Sequence, residues 1–376
     1  MGKHLVLAGG GHAHLTVLLN LTHYIQRGHG VTVIMPSSYQ YYSGMGPGML
    51  SGIYRPQEVR FNIRKMVQDR GGAFLEDKVA RINPGARILA LQSGQEVPYD
   101  VVSFNTGSEV PLQPYLSNPR ENIWPVKPVI NLLQGRQAII RMMKEREVKL
   151  VVVGGGAAGV EMTANLWRLA QDQKGKAEIT LIGGRKVLGK LPEKVHDLVL
   201  KSFSRRRIQV VEGSHLKEVG ENEIRLTDGK SIPFDFTFLA LGVKPTSLFV
   251  ESGLPAGEDG GLLVNSRLQS VSHPQIFGGG DCISLAGNPL AKVGVYAVRQ
   301  NPILYHNLLA ALEGGELLTF VPQRSYMLIF NMGNGRGILW KKNFVWEGRL
   351  AFLLKDTIDR KFMQKFQVSG EREEKE

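Results

Sequence analysis

The stretch Lys149-Leu150-Val151-Val152-Val153-Gly154-Gly155-Gly156-Ala157-Ala158-Gly159 decides the fold. An apolar, β-branched run enters a glycine cluster, and a helical pattern follows from Val160 to Leu169. Glycines at 154, 156 and 159 complete the GxGxxG spacing. They allow a tight turn, close backbone approach to a pyrophosphate and close packing of helix on strand. The helix then aims its amides and dipole at the negative charge. A second strand, Glu178 to Ile182, closes the unit, so Gly154, Gly156, Ala157 and Gly159 are expected to hold a dinucleotide.

Working outward, the chain carries an earlier unit of the same kind. The strand His4 to Ala8 enters Gly9-Gly10-Gly11-His12-Ala13-His14, then a helix-like stretch to Leu21 and a strand from Val31 to Met35. Gly9 and Gly11 match the motif, but His14 stands where the third glycine belongs. His12 and His14 are read either as phosphate ligands or as polar residues at a helix start. Two apolar strands end in glycine, at Thr106-Gly107 and at Leu241-Gly242, each after a hairpin. A short strand from Pro274 enters Gly278-Gly279-Gly280-Asp281. Neither unit has the acid that usually holds the adenosine ribose at the end of its second strand. Ser37 and Ser38 are the substitutes in the first. In the second, Arg185 and Lys186 are either surface cations or a grip for a 2′-phosphate.

Composition limits the alternatives. The 376 residues are 43% apolar, enough for two or three domains. The single cysteine, Cys282, excludes an intrachain disulfide, a dithiol redox centre and a Cys-based zinc site. No metal site is expected. No apolar run approaches the ~20 residues of a membrane-spanning helix, and no signal peptide is expected ahead of Lys3 to Ala8. A cytoplasmic chain is the expectation. The net charge of +12 favours phosphate-bearing ligands or anionic lipid. No basic element with interleaved aromatics argues for nucleic acid, which is not expected as a partner.

Two glycine units, two strand-Gly endings and the late Gly-Gly-Asp resemble the two-dinucleotide-binding-domain flavoproteins, the pyridine nucleotide–disulfide oxidoreductase superfamily. The likeness spans about residues 3 to 312. With Tyr42-Ser43-Gly44-Met45-Gly46-Pro47-Gly48 and the tail, the chain is similar to type II NADH dehydrogenases and sulfide:quinone oxidoreductases. It most resembles the flavoprotein module fused to selenide–water dikinase, on Pro125-Val126-Lys127-Pro128, Tyr296-Ala297-Val298-Arg299-Gln300 and Leu354 to Met363. Sulfide chemistry needs cysteines to carry sulfur, which one thiol cannot supply.

The resemblance implies an α/β fold with two Rossmann-like three-layer dinucleotide-binding domains and a small C-terminal domain. FAD is implied as cofactor, over 1–118 and 251–318, and NADH or NADPH over 119–250. It also implies that Asp281 binds the ribityl chain beside Gly280. A helix from Gly294 and Val295 would face the flavin carbonyl edge. Gln300 would line a quinone site, although Tyr296 replaces that site's first glutamine. Glu161 would relay a proton or position the nicotinamide, or else be an acid complementing its own helix. Lys127 would place a cation near the flavin, or be a solvated lysine.

The tail, 319–376, nets +6 from Arg324 to Phe366, with nine cations against Glu347, Asp356 and Asp359. Leu350, Phe352, Leu353, Leu354, Ile358, Phe362, Met363 and Phe366 would form an apolar face. Such a helix docks peripherally on the cytoplasmic face of the inner membrane, packs on the flavin domain, or makes a homodimer contact. The charged end, Gly370 to Glu376, is expected to fray. The expected activity is hydride transfer from NAD(P)H to FAD and then to an acceptor, a quinone first. A soluble reductase, selenium-linked or otherwise, and a nucleotide-sensing flavoprotein are the rivals.

Overall fold

The computed structural model describes residues 2–113, 115–116, 120–323 and 325–374. Two five-stranded parallel sheets organise the chain. The first runs Ile276–Gly278, Val101–Phe104, His4–Ala8, Gly30–Met35, Ala73–Glu76. The second runs Ile123–Pro125, Phe236–Leu239, Val148–Val153, Ala177–Ile182, Gln209–Val211. All pairings within them are parallel. Both faces of such sheets are covered by helices, which is why the strands read as unbroken apolar runs. Leu5 to Ala8 in the first sheet and Leu150 to Val153 in the second are accordingly buried. Each sheet carries an antiparallel three-stranded appendage, at residues 79–98 and 216–233.

The chain crosses between the two units at Glu109 and Lys244, whose backbones bond reciprocally (2.8 and 3.0 Å). The expected bound at 118/119 lies outside the described residues, as does Arg324. The bound at 250/251 falls inside the short helix Leu248–Glu251. Ser252 Oγ just after it accepts the amide of Ile82 (2.9 Å), which ties this helix to the first unit.

The C-terminal part is an antiparallel sheet, Leu328–Asn331, Gly337–Lys341 and Phe344–Gly348, followed by the helix Arg349–Phe366. The expected single apolar face is in fact two. Met363 and Phe366 are buried, and Phe362 packs its ring on Tyr42 and Phe61. Leu350, Leu353, Leu354 and Ile358 stay 39–61% exposed on another side. The tail after the helix does not fray as far as residue 374. Glu371 is buried and accepts the amides of Asn62 and Ser369, both at 3.0 Å. Glu374 pairs with Arg60 (2.6 Å). A carboxylate that satisfies one buried and one half-buried amide fixes the segment.

Candidate active site

Gly9 and Gly11 turn the first strand toward the 3-10 turn His12–His14. Asn105, a residue sequence reasoning passed over, clamps this turn. Its buried side chain accepts the amide of Ala13 (3.1 Å) and donates to the carbonyl of Gly279 (2.5 Å). A Cβ on Gly11 would fall 2.2 Å from Asn105 Oδ1. The only sequence signal was an amide residue closing an apolar strand.

His14 does not reach a phosphate. It is fully buried, with Nδ1 2.7 Å from the carbonyl of Gly9 and Nε2 2.8 Å from Ser103 Oγ. Both ring nitrogens are consumed in pinning turn to strand, in place of the missing glycine's close packing. Burial pushes its pKa down to about 4. The unfolded chain therefore takes up a proton below the usual histidine value near 6.5, while the native chain does not until about 4. Stability is expected to fall as pH drops through that window, by about 3 kcal/mol at most. A thermal midpoint that stays level between pH 7 and 4 would contradict a neutral His14.

His12 differs. Its Nε2 is buried without a partner among the described residues, and its ring meets those of Tyr42 and Phe362 edge-on (5.3 and 5.8 Å between centroids). Burial holds it neutral, with a pKa near 4. An orphaned buried nitrogen beside a glycine turn fits a site made for a bound group. Added Cβ atoms on Gly107 and Gly294 would meet nothing within 4 Å, so the site's walls are bare there. Thr106 is exposed nearby, and the helix Gly294–Glu313 starts as expected, with Val295 in its first turn. Ser37 accepts the amide of Tyr39 (3.2 Å) on an exposed loop. Ser38 donates to Glu76 Oε2 (2.9 Å), which also pairs with Arg64, so a carboxylate from the next strand stands beside the end of the second.

Asp281 and Lys127 form one unit. Lys127 Nζ lies 2.8 Å from Asp281 Oδ2 and donates to Ser108 Oγ (2.7 Å), which in turn donates to Asp281. Burial alone would raise the Asp281 pKa, but Lys127 and Ser108 outweigh it and hold the carboxyl below its ordinary value. Gln300 is not a surface residue. It is 1% exposed, and its Oε1 accepts the amide of Gly280 (2.7 Å). Its Oε1 braces the Gly-Gly-Asp turn, and the residue lines a small cavity with Asp281 and Tyr296.

The C-terminal helix supplies what the sequence concealed. Lys355, counted among the tail's lipid-facing cations, turns inward and donates to Asp359 Oδ2 and to the carbonyl of Gly44, both at 2.8 Å. Tyr42 donates its hydroxyl to the other oxygen of Asp359 (3.0 Å). Glu161 accepts the amide of Asn331 (2.7 Å) rather than serving its own helix. Burial raises the Glu161 pKa, with Lys355 and the Asn331 amide opposing. Burial alone would lower the Lys355 pKa, yet Glu161 and Asp359 raise it. The Lys355 ammonium bonds Asp359 directly and acts on Glu161 only through its charge, so burial leaves the Glu161 carboxyl favouring its protonated form more than a free one does. Spacing of i, i+4 between Lys355 and Asp359 was the available signal. Farther along, Asp356 takes the Tyr54 hydroxyl (2.8 Å) and Arg360 pairs with Glu58 (2.9 Å), which anchor the helix.

In the second unit, Gly154, Gly156 and Gly159 form the turn, and the helix runs Ala157–Asp172. A Cβ on Gly159 would sit 1.8 Å from the Gly154 carbonyl, whereas one on Gly156 would meet nothing within 4 Å. One glycine is needed for closure and the other leaves open space. Gly242, past the strand Phe236–Leu239, is equally open. Arg185 is exposed at the end of Ala177–Ile182, while Lys186 pairs with Glu193 (2.5 Å).

Cys282 is buried, a free thiol whose Sγ contacts the carbonyls of Phe104 and Gly279 (3.4 and 3.3 Å). A family model described as pyridine nucleotide-disulphide oxidoreductase matches residues 3–307. Ferroptosis suppressor protein 1 of Taeniopygia guttata is 27% identical over 316 residues, 80% of each chain. The external alternative NADH-ubiquinone oxidoreductase of Yarrowia lipolytica mitochondria is 26% identical over 337 residues, covering 77% of this chain and 57% of that one. The structure of NDH2 from Plasmodium falciparum in complex with NADH shares the fold, with a TM-score of 0.80 at 14% identity over 98% of each chain. The chain belongs to the pyridine nucleotide-disulphide oxidoreductase family and is an FAD-dependent NAD(P)H oxidoreductase that has only one cysteine.

Proposed function

We propose that this chain passes electrons from NAD(P)H through FAD to a quinone at a membrane surface, with no redox disulfide. In this reading residues 1–118 and 251–318 hold FAD and 119–250 hold the nicotinamide nucleotide. Gly9, Gly11, Gly107, Gly280 and the Gly294–Val295 helix start cradle FAD, with His12, Ser37, Thr106 and Asp281 as polar contacts. Gly154, Gly156, Ala157, Gly159, Arg185 and Gly242 bind the nucleotide. When bound, FAD supplies the two-electron carrier that joins hydride donor to acceptor. The net reaction consumes one proton: NAD(P)H, a proton and quinone give NAD(P)+ and quinol.

The observation that carries this reading is the buried cluster of Glu161, Lys355, Asp359 and Tyr42. Reduction of a quinone needs protons delivered where water is scarce, and a carboxyl with a raised pKa is suited to give one. Glu161 is the donor, Lys355 sets its charge state, and Asp359 with Tyr42 orients Lys355. The Yarrowia relative is named for a ubiquinone reaction, which favours a quinone here. Anaerobic titration tests this: NADH or NADPH should bleach the flavin and a short-chain quinone should restore it, in protein pretreated with a thiol blocker. A flavin that quinones leave bleached would favour a soluble reductase for another acceptor, selenium-linked or not.

Docking is part of the proposal. Leu350, Leu353, Leu354 and Ile358 stand exposed, with Phe344 and Trp346 on the preceding strand. Lys341, Lys342, Arg349 and Lys361 lie along the same segment, and no ion pair takes them among the described residues. An apolar row edged by cations suits anionic lipid better than a second copy of itself, which would oppose like charges. No described helix is long and apolar enough to cross a membrane. Leu353→Glu with Ile358→Glu is expected to weaken sedimentation with phosphatidylglycerol vesicles by about tenfold or more. Unchanged sedimentation, with light scattering showing a dimer that the pair disrupts, would assign the row to a homodimer.

A further inference from the structure

We infer that the pyridine nucleotide site is built for NADPH over NADH, with Arg185 holding the 2′-phosphate. This rests on the reading of Gly154–Gly159 as the nucleotide's turn. In sheets of this order the adenosine lies toward the strand that follows the turn's helix, here Ala177–Ile182. A carboxylate at that strand's end selects the free ribose of NADH, and an arginine nearby accommodates the 2′-phosphate of NADPH.

This strand ends in Gly183-Gly184-Arg185, and the geometry excludes a side chain on Gly183 itself, although Glu212 Cγ would lie 3.5 Å from a Cβ there. A Cβ on Gly183 would lie 2.4 Å from the Val187 side chain. The loop that follows touches the turn itself: Leu188 donates its amide to the Gly155 carbonyl (2.7 Å), and a Cβ on Gly155 would lie 2.2 Å from the Gly183 carbonyl. Arg185 is therefore two residues past Gly183, where this loop meets the glycine turn. Its carbonyl accepts the amide of Gly213 (3.2 Å), which fixes its backbone and leaves the guanidinium exposed. Among the described residues no carboxylate pairs with it.

The neighbouring charges agree. Glu212, next to the Gly213 that bonds the Arg185 carbonyl, is already committed. Its Oε1 accepts the Val187 amide (2.5 Å) and contacts His196 Nε2 (3.1 Å). Glu193 is taken by Lys186. The ring of His215 lies 3.5 Å from where a Gly184 Cβ would stand, so a second nitrogen base borders the same spot. A cation without a carboxylate partner among the described residues, beside an acid whose oxygens face Val187 and His196, is a site for a doubly charged ester.

The probes are adenosine 2′,5′-bisphosphate and 5′-AMP, which differ by the 2′-phosphate alone, titrated calorimetrically into the FAD-loaded protein. The bisphosphate is expected to bind about 10- to 100-fold more tightly, with a matching preference for NADPH in flavin bleaching. The ratio should shrink as salt is raised, because the contact is exposed. Arg185→Ala should bring the ratio to about one, while Lys186→Ala should leave it unchanged. Equal binding of the two probes by the native protein overturns the inference, as does a ratio that survives Arg185→Ala. Binding of neither probe nor NAD(P)H overturns instead the assignment of the glycine turn, and the preference with it.

Discussion

Lys355→Met should cut quinone turnover by about 100-fold or more, while the rate at which NAD(P)H bleaches the flavin changes little. The Lys355 side chain is 11% exposed, and its ammonium serves Asp359 and the Gly44 carbonyl directly. Without it, Glu161 and Asp359 are like charges in a medium of low dielectric, and the pair must retain a proton that the native cluster can release. The native arrangement gives that proton up because Lys355 opposes the burial of Glu161. Loss of one partner from a buried pair also costs about 3–5 kcal/mol of stability. A merely weakened fold would depress both half-reactions and release flavin. The proposed role predicts a split, with reoxidation by quinone slowed, its pH dependence moved to higher pH, and flavin retained. Lys355→Arg should recover part of the rate, since it keeps the charge. Equal loss in both half-reactions would assign Lys355 to the fold alone.

The two sheets were legible because their signals are local. Gly154 to Gly159 carry their own strand before them and their own helix after, and no distant residue is needed to read them. The same holds for the strand that ends at Gly107 and for the helix that begins at Gly294. The interior of the site was not legible, because its residues acquire meaning from partners far along the chain. His14 reads as a polar residue at a helix start until Ser103 meets it. Lys355 reads as one cation among nine until Gly44 and Asp359 turn it inward. Glu371 reads as part of a charged, frayed end until the amide of Asn62 meets it. Amphipathic pattern reports that a helix has an apolar side; it does not say which of two apolar sides faces the protein. That is why Phe362 and Met363 were grouped with Leu353 although they lie on the inner surface of the helix.

Gly9→Ala and Gly159→Ala should divide the protein's two binding activities. Gly9 adopts φ +92°, and an added Cβ would lie 2.4 Å from the Asn105 carbonyl. An L-residue there faces both a disfavoured backbone and a clash with the strand that carries the clamp. Relief requires the turn to move away from Asn105, whose side chain also holds Ala13 and Gly279. The variant should be isolated nearly colourless, with FAD affinity down by about 100-fold or more, since strain of a few kcal/mol opposes every contact at once. In Gly159→Ala the Cβ would lie 1.8 Å from the Gly154 carbonyl, so helix and turn in the second unit are forced apart. That clash leaves the first unit untouched. The protein should remain yellow, its flavin should still be bleached by dithionite, and NAD(P)H should fail to bleach it. The two variants control for each other, because a general folding defect would remove colour from both. A yellow Gly9→Ala protein, or a Gly159→Ala protein still reduced rapidly by NAD(P)H, would show that the glycine turns only pack strand to helix and that the nucleotides are held elsewhere.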